Sequence, residues 1–187
     1  TGALAYFGKH PTFDVVGLTT EGEARYWAAG PGPRFEHYER LPVERRPTHF
    51  VVYPQWMDCP PVLGRGLHAI TVTDQSILGG PTMEAHEARW DLMGSGEEPL
   101  SGREGERVID SLDVADLESE ALHAFERRGA YPTWTVASLL RDGDREYADG
   151  GRTHRSADRF ELQLPRGGGA LVARVSAPER ALRLSAY

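Results

Sequence analysis

Apolar and polar positions along the 187-residue chain follow two regimes, and the change between them lies near residue 57. In the first, residues 12–16 form a short β-rich run closed by Gly17. Thr19 and Thr20 then offer an N-cap to a helix that carries Glu21 and Glu23 in its first turn and runs to about residue 29. Gly30, Pro31, Gly32 and Pro33 stop it. Phe35, Tyr38 and Leu41 recur at helical spacing beside Glu36, Glu39 and Arg40, which predicts a second short helix to about Pro42. Residues 49–53 then form a mainly apolar run bounded by prolines, the pattern of a strand buried on both faces of a parallel sheet. Residues 1–57 are expected to form a small βαβ, Rossmann-like unit.

After Cys59, Pro60 and Pro61 the pattern shortens. Residues 67–73, 85–92, 108–112, 133–140, 159–164, 170–175 and 181–185 read as strands. Gly79-Gly80-Pro81, Gly94-Ser95-Gly96, Asp142-Gly143-Asp144, Asp149-Gly150-Gly151 and Gly167-Gly168-Gly169 read as turns. One helix is expected over 114–125, and the Gly- and Glu-rich stretch 94–106 reads as a mobile loop. The expected fold class is α+β: the βαβ unit over 1–57, followed by an antiparallel β-sandwich or jelly roll over 58–187.

Composition narrows the function. With 28 acidic against 21 basic residues the formal net charge is −7, and no basic cluster is long enough to neutralise a row of phosphates, so nucleic acid is not expected as a partner. Cys59 stands alone, which excludes an intrachain disulfide and a cysteine-based zinc site. No run reaches the roughly 18 apolar residues of a membrane helix. Thr1 leads directly into Ala3, Leu4, Tyr6 and Phe7 with no basic signal segment, which suggests a piece of a longer protein.

Three stretches carry a resemblance: Gly2-Ala3-Leu4-Ala5-Tyr6-Phe7-Gly8, Phe13-Asp14-Val15-Val16-Gly17-Leu18, and Arg46-Pro47-Thr48-His49-Phe50-Val51-Val52-Tyr53-Pro54-Gln55-Trp56. Together they resemble the region after the last membrane helices in bacterial polytopic glycosyltransferases of the protein-mannosyltransferase, GT-C-like type. Phe160-Glu161-Leu162-Gln163-Leu164-Pro165 and Leu171-Val172-Ala173-Arg174 are similar to β-sandwich tails appended to some of those proteins. The resemblance implies an extracytoplasmic domain of the bacterial cell membrane, tethered through membrane helices preceding Thr1. Its expected partner is a glycan or lipid-linked sugar, and the acidic catalytic residues lie outside this chain, so the fragment alone would not be catalytic.

Ligands of open parallel sheets sit beyond the carboxyl ends of the strands, which here selects Asp14, Gly17 and Leu18, then Tyr53, Gln55 and Trp56. Trp56 would stack on a sugar face while Asp14 and Gln55 bond its hydroxyls. The competing role is structural, with Trp56 packed between subdomains and Asp14 capping a turn. The densest polar run lies between Asp110 and His123. Hard oxygen donors there suit a divalent cation such as Ca²⁺, with Asp113, Asp116 and Glu120 the expected subset and His123 bonding a neighbouring strand; alternatively the acids mark a helix N-terminus and a solvated face. Three functions follow as expectations: the glycosyltransferase accessory domain, a stand-alone carbohydrate-binding sandwich stacking sugar on Trp56, Trp90 or Trp134, and a metal-assisted hydrolase using Asp110, Asp113, Asp116, Glu120 and His123.

Overall fold

Glycine and proline set the chain's entry into its core. The computed structural model describes residues 2–74, 80–93, 107–128, 134–142, 144–153, 157–164 and 166–175. Helix α1 (Gly2–Gly8) is followed by α2 (Glu23–Ala29), whose last turn is closed by Gly30 at φ 106°. The same glycine starts α3 (Pro31–Arg40), because Pro31 and Pro33 occupy first-turn positions where no intrahelical N–H is needed. The Gly-Pro-Gly-Pro stretch therefore joins two helices and lies partly inside the second. Residues 12–16, expected as a strand, form a turn instead.

Strand β1 (His49–Val52) runs into the one-turn helix α4 (Pro54–Met57), and β2 (Leu63–Thr71) and β3 (Thr82–Ala88) complete a sheet of order β1-β3-β2. Both pairings are antiparallel, with Phe50 opposite His86 and Ile70 opposite Met83. This corrects the parallel βαβ expectation: β1 is an edge strand, Val51 is 40% exposed, and its partner lies beyond residue 57. Helix α5 (Leu117–Leu122) precedes β4 (Glu126–Arg128), β5 (Thr135–Asp142), β6 (Arg145–Arg152) and β7 (Ala157–Arg159). Strands β5 and β6 form an antiparallel hairpin, and β4 pairs with β7. The protein is a mixed α+β fold with small antiparallel sheets, and no closed sandwich or jelly roll forms among the described residues. The expected strands at 108–112 and 170–175 form no strand, while 181–185 and the 94–106 loop lie outside the described residues.

Helix α3 is the hub. Phe35 and Tyr38 join Phe50, Met57, Cys59, Val62, Leu92 and Ala148 in one buried cluster, with Trp90 packed against it. Tyr38, Phe50 and Trp90 meet ring to ring at 5.6–5.8 Å, and the Trp90 Nε1 donates to Pro47 O at 2.9 Å. On its other side α3 lies against β5 and β6. Side chains are excluded there: a Cβ on Gly32 would stand 2.9 Å from that of Ala115 and 3.0 Å from the carbonyls of Val136 and Gly151, and one on Gly150 would strike Glu36. Gly150 and Gly151, expected as a turn, sit inside β6 because the helix approaches the strand backbone at that point. Among the described residues no helix is long and apolar enough to cross a membrane.

Candidate functional site

Asp14 is buried, with 2% exposure, and its carboxylate is engaged by its own loop. Oδ1 accepts from Val16 N at 3.3 Å, and Oδ2 accepts from both Thr19 N and Thr19 Oγ1 at 3.0 Å. Gly17 closes the turn at φ 81° by donating to Asp14 O at 2.9 Å. The Asp14 carboxylate thus serves its own loop, whose N–H groups need an internal acceptor. Replacing Gly17 by Ala would combine a positive φ with a Cβ driven into the backbone of Ala24. Gly17→Ala is expected to cost about 2 kcal/mol or more in urea denaturation, and an unchanged midpoint would show that the loop relaxes freely.

Trp56 and Gln55 occupy different ground. Both are exposed on α4, Trp56 at 43%. The indole stands edge-on to Trp27 (5.6 Å between centroids) and to Tyr53 (6.4 Å). Arg34, reaching out of α3, holds this group from below: Nη1 donates to Trp56 O at 3.3 Å and to Met57 O, Nη2 donates to Trp27 O at 2.7 Å, and the guanidinium lies 3.9 Å from the Trp27 ring. A half-exposed indole thus stands edge-on to two aromatic rings, with its backbone carbonyl tied to α3. Tyr53 also lines an open trough of about 260 Å³ with Val51, Ile70, Met83, His68 and Glu84, and the Gln55 carboxamide lies beside Gly80 at its rim. Trp90 belongs to the core, whereas Trp134 is 64% exposed at the start of β5.

A second polar centre escapes sequence inspection because its members come from three distant segments. Glu36 of α3, Asp113 and Asp149 of β6 bring carboxylate oxygens within 4.8 Å of one another. Gly150 N donates to Glu36 Oε1 at 2.7 Å, and Arg174 Nη1 donates to Asp149 Oδ2 at 2.9 Å. Burial, reinforced by the neighbouring acids, pushes Glu36 up to about 10 and Asp113 up to about 7; burial also raises Asp149. At neutral pH the cluster therefore holds protons, and three oxygens so placed could also surround a hard cation such as Ca²⁺. Gly150 was the available signal: a glycine within an otherwise regular strand marks close approach by another element.

Asp113 is thus separated from the other two residues expected to share a metal. Asp116 is the N-cap of α5, its Oδ1 accepting from Glu118 N at 2.9 Å and Ser119 N at 3.2 Å while Oδ2 pairs with Arg40. Glu120 turns to Arg152, which donates Nε to Oε1 and Nη2 to Oε2 (2.8 Å), and Oε1 also accepts from Ala115 N at 3.0 Å. Both carboxylates are neutralised by arginine, and helix formation begins three residues later than the pattern suggests because Asp116 is the acid that caps it. Cys59 is fully buried, its thiol pushed up to about 12 by desolvation, and so is unreactive. Comparison with protein families, with characterised proteins and with solved structures found no match to this chain.

Proposed function

We propose that the chain is an extracytoplasmic accessory domain of a membrane-embedded glycosyltransferase, in which Trp56 positions a glycan or lipid-linked sugar. The observation that carries this reading is the half-exposed indole of Trp56, set edge-on to Trp27 on a helix whose backbone Arg34 holds, beside the exposed carboxamide of Gln55. A pyranose ring presents an apolar face of C–H groups to such a platform and hydroxyls to its polar rim, so one aromatic and one amide suffice to orient it. Asp14 and Gly17 keep the neighbouring loop in shape. The sequence resemblance supplies the membrane-bound context and the antiparallel sandwich into which the sheets would assemble.

Free oligosaccharide binding with the same residues would equally suit a stand-alone carbohydrate-binding module, and the two readings differ in preference for a lipid-linked over a free sugar. No observation favours a metal-assisted hydrolase, since Asp116 and Glu120 are occupied by Arg40 and Arg152. Mannose-containing oligosaccharides on a glycan array, followed by tryptophan fluorescence titration, test the proposal. Trp56→Ala is expected to weaken binding at least tenfold, about 1.4 kcal/mol, while leaving the circular dichroism unchanged. A silent array, or binding indifferent to Trp56→Ala, overturns it.

A further inference from the structure

The strongest unassigned arrangement lies at the C-terminal end of α5, one turn beyond the Glu120–Arg152 pair. His123 ends that helix with its ring between two oxygens: Nδ1 is 2.6 Å from Ser119 O and Nε2 is 3.1 Å from Asp110 Oδ1. A carbonyl and a carboxylate only accept, so both ring nitrogens must donate, and a neutral imidazole has one N–H to give. The geometry therefore requires an imidazolium, placed where the last carbonyls of α5 favour positive charge. From Asp110 the contacts continue outward. Its Oδ2 accepts from Gln163 N at 2.7 Å, and His123 O accepts from Glu161 N at 2.7 Å. The 107–113 stretch, the end of α5 and the distant 161–163 segment are joined at one ring.

We infer that His123 and Asp110 form a proton-operated latch: with His123 charged, the 107–113 and 161–163 segments are held against α5, and with His123 neutral one of its two hydrogen bonds is lost and the segments loosen. Asp110 is the charged group facing the ring. Glu118 is turned to Arg25 and Tyr26, Glu120 to Arg152, and Glu161 to Arg159 at 3.8 Å. Hydrogen bonds from Gln163 N and His123 hold Asp110 below its usual 3.8, and the bonds to Asp110 and Ser119 O raise His123 above 6.5. Linkage gives the direction at each limit. The Asp110 contribution is present above its unfolded value and is lost as pH falls through its lower folded one. The His123 contribution is present below 6.5 and is lost as pH rises through its raised value. His86 also lies between a carbonyl and a carboxylate, Gly64 O and Glu84, but it joins residues already paired in one sheet and so latches nothing.

The latch also bears on the carboxylate cluster, since Asp113 N donates to Ser119 Oγ at 2.9 Å and is three residues from Asp110. Nitrogen-detected NMR of the histidine rings tests the inference, together with hydrogen exchange at the Glu161 and Gln163 amides. His123 should show two protonated nitrogens at pH 6 and titrate above 6.5. After correction for intrinsic rates, the two amides should exchange at least tenfold faster at pH 9 than at pH 6. In His123→Gln that pH dependence should vanish, and in Asp110→Asn the His123 titration should move downward. A wild-type His123 that is neutral at pH 6 overturns the latch even if the variants fail to fold, as does an amide pH dependence retained in His123→Gln.

Discussion

Glu36→Gln is expected to stabilise the protein, and by an amount that grows with pH. Glutamine keeps the carbonyl oxygen that accepts from Gly150 N but carries no proton to lose. In the wild type the folded state holds the Glu36 proton up to about pH 10 and the Asp113 proton up to about pH 7, whereas the unfolded chain releases both near pH 4. Between those limits the unfolded state binds fewer protons, so wild-type stability falls as pH rises. Below pH 4 both states are protonated and the variant should match the wild type. At pH 8 it should be ahead by about 2 kcal/mol, or about 5 °C in Tm. Thermal melts across this range check the sign, and a variant less stable than wild type at pH 8 refutes it. Millimolar Ca²⁺ is the informative addition: an ion shared by Glu36, Asp113 and Asp149 would raise the wild-type Tm and leave Glu36→Gln unmoved.

Arg152→Met should have the opposite and larger effect. The arginine is 5% exposed and makes a bidentate pair with Glu120, itself 11% exposed, so removing the cation leaves a buried carboxylate without its partner. The expected loss is about 3–5 kcal/mol, near 10 °C in Tm. Adding Glu120→Leu removes the stranded charge and should restore much of that loss. Recovery should stop short of wild type, because Ala115 N donates to Glu120 Oε1 and a leucine leaves that buried N–H without an acceptor. Equal stability of Arg152→Met and wild type would place the pair in water.

The local elements were the legible part of this chain. Phe35, Tyr38 and Leu41 announce α3, and the apolar runs about residues 67 and 135 announce β2 and β5, because a half-buried element writes its period into sequence. Direction of pairing is not written there. The β1 run reads as a buried parallel strand, yet it is an edge strand whose bulk comes from Phe50 packing on Tyr38 and Trp90. The glycines of 30–32 and 150–151 carry two meanings, turn and close contact, and only the facing element tells them apart. For the same reason Asp113 could be read as a candidate while Glu36 and Asp149 could not: their meeting depends on α3 crossing β6, which no local spacing records.

The hub position of α3 has a kinetic side. Its buried Glu36 waits for Gly150, a separation of 114 residues, and Phe35 and Tyr38 share their cluster with Leu92 and Ala148. Contacts of such range are late in folding because loop closure must precede any stabilisation from them. On a translating ribosome, at ~5–20 residues per second, the apolar face of α3 would stay uncovered for on the order of ten seconds before the β5–β6 hairpin emerged. Gly32, inside the first turn of that helix, then weakens it while it waits, which delays commitment of its aromatic side chains until the partner that fits them has been made.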